Sequence, residues 1–301
     1  MSYFQAIVIA LVQGVTELFP VSSLGHSILL PAWIGGSWAQ LVAQSSSQSS
    51  EDSPYLAFIV ALHVATACAL LWNFRSDWAR IIRGYIATVR TRKIETSAQR
   101  LGLLLIVGTI PVGITGLALE HTFRTVFAKP LPAAIFLTVN GAILLAGEWL
   151  RRRNDVQALA IDEGAPTDTA GNRSLETLDY REAGVIGAFQ TLALLAGISR
   201  SGITLVGGLV RGLNHEDAAR FAFLLATPVI FAAGVLKLPS LAGHAGANIH
   251  GQLIVGAIVA AAASYVSVRF LTRYFERRTL TPFAYYCLVV GVCSIVRFGG
   301  H

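Results

Sequence analysis

Six apolar runs, each close to the roughly 20 residues a helix needs to cross a bilayer, limit what this chain can fold into. They cover residues 55–73, 100–119, 131–150, 221–237, 252–268 and 282–296. In hydrocarbon every backbone N–H and C=O must bond within its own segment, so each run is expected to be a helix. Of the 301 residues, 54% are hydrophobic and 13% charged, against roughly a quarter charged in soluble domains. The expected class is therefore an all-α integral membrane protein. No basic n-region precedes the first apolar stretch, so that stretch is expected to remain and not to be cleaved as a signal peptide. The formal charge of +6 comes from residues beside apolar runs and not from a separate basic domain, which excludes nucleic acid as the partner.

Two further apolar stretches, 4–30 and 183–209, are broken in the middle and are expected to be re-entrant helical hairpins. Lys and Arg cluster in loops 75–100, 151–181 and 269–278, whereas 31–54 and 239–251 contain neither, and 121–130 holds only Arg124 and Lys129. By the positive-inside rule the basic loops face the cytoplasm. Six spans then close consistently with both termini outside, the first hairpin entering from outside and the second from inside. Each half becomes a hairpin followed by three spans in opposite orientations, an inverted-topology repeat: residues 1–150, a polar cytoplasmic linker 151–182, and residues 183–301. Such repeats place a site where broken helices meet near the midplane. The Ser/Gln tract 44–50 is of low complexity and reads as a mobile outer loop. Cys68, Cys287 and Cys293 show no metal or disulfide spacing and read as small apolar core residues.

The chemistry is concentrated in residues 13–27, QGVTELFPVSSLGHS. Gln13 and Glu17 stand at i and i+4, on one helix face, and an ionisable residue at bilayer depth is a functional hypothesis by default. After the break, Pro20 can open a second half-helix with Ser22 or Ser23 as its cap, an end that attracts anions. His26 follows Ser23 by three residues. Residues 190–204, QTLALLAGISRSGIT, align with this stretch without a gap at an offset of 177. The glutamines, Ser22 with Ser199, and Gly25 with Gly202 coincide. Glu17 meets Leu194 and Ser23 meets Arg200. One copy supplies acid–base groups and the other a cation whose planar fork matches phosphate oxygens. Ser199, Arg200, Ser201 and Gly202 are candidates to bind an anion, with Gln13 and Ser22. Gln13 reads equally well as a ligand-orienting amide or as a helix–helix hydrogen bond, and His63 as structural or functional. Glu148 is expected to meet Arg151 or Arg152 across one turn.

QGVTELFPVSSLGH together with AGISRSG resembles the bacterial undecaprenyl-diphosphate phosphatases of the bacitracin-resistance type. Thr109–Leu117, Gly208–Leu238 and Phe283–Gly291 are similar to that family as well. The resemblance implies removal of the terminal phosphate of undecaprenyl diphosphate, giving undecaprenyl phosphate and inorganic phosphate for carrier recycling in peptidoglycan synthesis. It implies a multi-pass protein of the bacterial inner membrane, with the site open to the periplasm and substrate and membrane lipid as partners. The oligomeric state stays open, a homodimer included. By position it assigns catalysis to Glu17, Ser23, His26 and Arg200. It also implies a divalent cation, Mg²⁺ or Ca²⁺, for which Glu17 is the evident hard oxygen ligand in the motifs. Leu24 stands where the family usually has Ser or Thr, Ala196 where it has Pro, and Gln13 where Glu also occurs. Two chemical schemes stay open: attack by Ser23 with His26 taking its proton, or water activated by His26 and Glu17. The competing class is a transporter of undecaprenyl phosphate, which would need the anion clamp but not Ser23 beside His26.

Overall fold

The computed structural model describes residues 1–45, 54–127, 129–161, 173–242 and 249–300. Among these the regular secondary structure is helical apart from one isolated bridge, Arg173 to Leu213. Six helices are long and apolar enough to cross a membrane, over Pro54–Asn73, Ser97–Leu119, Pro130–Arg153, His215–Gly234, His250–Phe275 and Thr281–Gly299. They match the six expected runs. The helices that carry them are α4 (Pro54–Asn73), α6 (Ser97–Phe127), α7 (Pro130–Ile161), α10 (His215–Ala242), α11 (His250–Phe275) and α12 (Thr281–Gly299). The broken stretches fold as short helices, α1 (Tyr3–Thr16) with α2 (Ser23–Ile34), and α8 (Tyr180–Gln190) with α9 (Arg200–Val210). At 1.5 Å per residue the longest of these four is about 21 Å, too short to cross the roughly 30 Å hydrocarbon layer alone.

Three features differ from the expectations. Helix α3 (Gly36–Ser45) occupies part of the outer loop, and α5 (Arg75–Thr91) fills most of the first basic loop. Helix α7 runs to Ile161, past the expected boundary at 150, because no Gly or Pro occurs between Glu148 and Asp162 to stop it. Cys287 is buried as expected, whereas Cys68 and Cys293 are exposed; the outer face of a membrane bundle meets lipid and is as apolar as its core. Positions 46–50 of the Ser/Gln tract and 162–172 of the linker lie outside the described residues.

Helix α10 is central: 61% of its span is buried inside the protein, against 22% for α12. Phe58, Leu62 and Leu70 of α4 and Phe221 and Phe223 of α10 are fully buried, where α4 packs on α10. Outward-facing Ile114, Leu117, Ile258 and Val296 are exposed, as residues solvated by lipid tails should be. Helix α1 packs on α11 and α8 on α6. The second contact is close because a Cβ on Gly187 would strike the Gly108 carbonyl.

The tips of the two broken stretches dock on one another. Each opens its second helix with a serine cap, Ser22 accepting from Gly25 N at 3.2 Å and Ser199 from Gly202 N at 3.1 Å. The 177-residue offset pairs these same residues. Ser22 Oγ also accepts from Gly197 N at 3.2 Å, and Ser201 Oγ donates to Phe19 O at 3.1 Å. Gly197 has φ +116°, and a Cβ there would lie 2.7 Å from Leu137 N, so only glycine fits. Asn140 of α7 holds both tips, donating from Nδ2 to Pro20 O at 3.0 Å and accepting from Ser199 N at 2.9 Å. Asn140→Leu orphans two buried backbone groups, each worth about 1–3 kcal/mol. A thermal melt in detergent should show a loss of that order, with Asn140→Ala no milder.

Candidate active site

Glu17 lies at the C-cap of α1, where the helix dipole disfavours an anion, and its carboxylate is 6% exposed. Four groups compensate it. Arg200 Nη2, on the first turn of α9, is 2.7 Å from Oε1. On Oε2 converge the Ser23 hydroxyl, which donates a very short hydrogen bond, the Gln13 Nε2 amide at 2.9 Å and His63 Nε2 at 3.3 Å. Ser23 is the first residue of α2, so the carboxylate also faces a favourable helix N-terminus. The carboxylate thus joins a guanidinium brought by one broken stretch to a hydroxyl brought by the other. Two atoms of this cluster, Gln13 Oε1 and Arg200 Nη1, are buried without a hydrogen-bond partner.

His63 enters from α4, fifty residues beyond Gln13. Its Nδ1–H donates to Ile59 O at 2.8 Å, and its Nε2 lies 3.2 Å from the Gln13 amide nitrogen. The neutral ring therefore accepts from Gln13, and the imidazolium can donate to Glu17. The structure thus places His63 in the polar centre, against Gln13 and Glu17. No periodicity in the sequence distinguishes it from a core histidine.

His26 does not engage Ser23. Its Nδ1–H donates to Ser22 O at 2.7 Å, which leaves Nε2 to accept from the Tyr286 hydroxyl of α12 at 2.8 Å. The two rings stack at 5.7 Å and 11°. The partner of the Ser23 hydroxyl is Glu17, which corrects the Ser23–His26 pairing drawn from their i, i+3 spacing. Among the other candidates, the Ser22, Ser199 and Ser201 hydroxyls are engaged by protein groups at the docked tips. Gly202 is part of the α9 cap. Leu24 is 40% exposed, in contrast to the buried Ser23 beside it. Glu148 accepts from His215 Nε2 at 2.7 Å and Leu280 N at 2.6 Å, while Arg151 meets the same His215. The Glu148–Arg151 expectation thus resolves into a larger cluster tied to the start of α12.

Among the described residues no three His, Cys, Asp or Glu side chains come together as a metal site. The hard oxygens present are the Glu17 carboxylate and the unpartnered Gln13 Oε1. That set fits Mg²⁺, which takes one or two protein oxygens and completes its octahedron with water and phosphate.

This combination defines a multi-span membrane protein with a buried carboxylate–hydroxyl–guanidinium centre. The chain belongs to the family described as bacitracin resistance protein BacA, whose sequence model matches residues 6–293. It is 62% identical to undecaprenyl-diphosphatase 2 of Frankia alni, over 99% of this chain and 98% of that protein. It is 57% identical to the undecaprenyl-diphosphatase of Mycolicibacterium paratuberculosis over 98% and 97% of the two chains. The Gluconacetobacter diazotrophicus undecaprenyl-diphosphatase is 44% identical over 99% and 98%.

Proposed function

We infer that the chain hydrolyses undecaprenyl diphosphate to undecaprenyl phosphate and inorganic phosphate. The observation that carries the mechanism is the Glu17 carboxylate, held between Arg200 on one oxygen and Ser23 on the other. Arg200 Nη1 offers a desolvated, charge-assisted donor to the terminal phosphate. The serine caps take the third amide of α2 and of α9, leaving the first two of each without an intrahelical acceptor and able to bind phosphate oxygens. Ser23 Oγ attacks the terminal phosphorus as Glu17 takes its proton. The anhydride P–O bond breaks and undecaprenyl phosphate leaves; water, deprotonated in turn, then cleaves the Ser23–phosphate ester and releases inorganic phosphate. His26, one turn along α2 and bonded to Tyr286, supplies or accepts the second proton. Mg²⁺ bound by Glu17 and Gln13 would neutralise charge on the phosphates. Direct attack by water is the variant in which Ser23 only positions Glu17.

The same reading extends the fold. Three of the helix contacts have a counterpart when the halves are exchanged: α1 on α11 corresponds to α8 on α6, α4 on α11 to α10 on α6, and α7 on α12 to itself. This supports an inverted repeat of residues 1–150 and 183–301 with re-entrant hairpins, and in this reading we take the site to open to the periplasm. Ser23→Ala tests the nucleophile. Turnover should fall by a factor of about 10³ or more, and acid-quenched wild type should carry phosphate on Ser23. A variant retaining more than a tenth of wild-type turnover assigns the attack to water.

A further inference from the structure

Away from the centre, a second feature has the form of a binding site. Helix α5 has three faces. One packs on α6, where a Cβ on Gly102 would lie 3.1 Å from Ile81 and one on Gly84 3.1 Å from Gln99. The next is an apolar stripe left outside, with Ile82, Ile86 and Val89 each more than half exposed. The third carries Arg80, Arg83 and Arg90. Between α5 and α6, with Pro228 of α10 behind, runs an apolar groove of about 540 Å³. Trp78, Ile82 and Tyr85 line it on one side, and Ile106, Ile110 and Gly113 on the other. A Cβ on Gly113 would meet nothing within 4 Å, so the groove is open along the α6 span. None of its lining residues belongs to the Glu17 centre.

The charge carried by α5 and the residues just after it is one-sided. Between residues 75 and 93 stand Arg75, Arg80, Arg83, Arg90, Arg92 and Lys93 against the single acid Asp77. Asp77 is taken, by Arg80 at 2.7 Å and by Arg220 at 2.5 Å. Among the described residues Arg83 bonds only its own helix, from Nε to Ala79 O at 3.0 Å. Arg83 and Arg90 have no acidic partner among the described residues and flank an apolar stripe, the pattern of a helix seated at a membrane surface. The cation distribution assigns this end of the spans to the cytoplasm, whose leaflet is the anionic one.

We propose that α5 and the α5–α6 groove form a binding site for one anionic phospholipid of the cytoplasmic leaflet, its phosphate on Arg83 and Arg90 and an acyl chain in the groove. One molecule then answers both observations, because a neutral lipid would leave the arginines unmatched and a soluble anion would leave the groove empty of chain.

Trp78 in the groove wall reports occupancy. The full chain is reconstituted in phosphatidylcholine vesicles doped with acyl-brominated phosphatidylglycerol or acyl-brominated phosphatidylcholine. The Trp78 signal is the difference between wild type and Trp78→Phe. Brominated phosphatidylglycerol should half-quench Trp78 at a mole fraction at least about five-fold lower than brominated phosphatidylcholine, the worth of one near-surface cation. Arg83→Gln with Arg90→Gln should bring the two curves together. Gly113→Phe, which fills open space, should reduce quenching by phosphatidylglycerol. Coincident wild-type curves, an unchanged preference without the arginines, or unchanged quenching in Gly113→Phe would each overturn the proposal. So would a Trp78 that neither lipid reaches and that cross-links to a second copy.

Discussion

Arg200→Ala is expected to lower kcat/KM for undecaprenyl diphosphate by a factor of about 10³–10⁵, the range seen when a transition-state arginine is removed from phosphoryl transfer. Arg200 Nη2 is committed to Glu17 at 2.7 Å, while Nη1 is buried without a partner, so one guanidinium both holds the base and has a donor left for the substrate. The variant should also lose stability, since removing one member of a buried pair strands the other at a cost of about 3–5 kcal/mol. Arg200→Lys separates the two effects. It keeps a charge for Glu17 but loses the fork, so its melting temperature should recover most of the loss while its turnover stays at least about ten-fold down. Steady-state phosphate release and thermal melts on the three proteins check this. Full recovery of turnover in Arg200→Lys would mean that charge alone is required.

Glu17→Gln is the second large effect. The substitution preserves shape but removes the negative charge that takes the Ser23 proton and neutralises Arg200. Turnover should fall by about 10²–10⁴, the usual worth of a positioned general base. Because Glu17 and Arg200 act as one unit, the double variant Glu17→Gln with Arg200→Ala should be little slower than the worse single variant. Losses that multiply would show that the two residues serve separate steps. Melting curves recorded alongside should show the double variant no less stable than Arg200→Ala, since it leaves neither charge uncompensated.

The meeting of Glu17 and Arg200 was legible in the sequence because the two motifs repeat at a fixed offset, and a duplicated stretch in an apolar chain brings its copies together. The caps were legible for the same reason: Ser22 with Gly25 and Ser199 with Gly202 are local, and local spacing is what a sequence displays. His63, Asn140 and Tyr286 could not be placed in the same way. They reach the tips from α4, α7 and α12, and the register of one span against another leaves no trace in the periodicity of either. The i, i+3 spacing of Ser23 and His26 misled for a geometric reason. Ser23 begins its helix and its hydroxyl turns back to Glu17, whereas the His26 ring is held by the Ser22 carbonyl and by Tyr286. Helix α5 escaped because a basic loop and an interfacial amphipathic helix share the same excess of arginine. Its apolar stripe of Ile82, Ile86 and Val89 is what distinguishes them.

The most direct test of the centre is phosphate release from C55 diphosphate by purified protein in detergent, wild type beside folded Glu17→Gln. The account predicts rapid release by wild type and a loss of at least about a hundred-fold in the variant. Release that persists in Glu17→Gln at the wild-type rate would contradict it and place the chemistry elsewhere in the molecule.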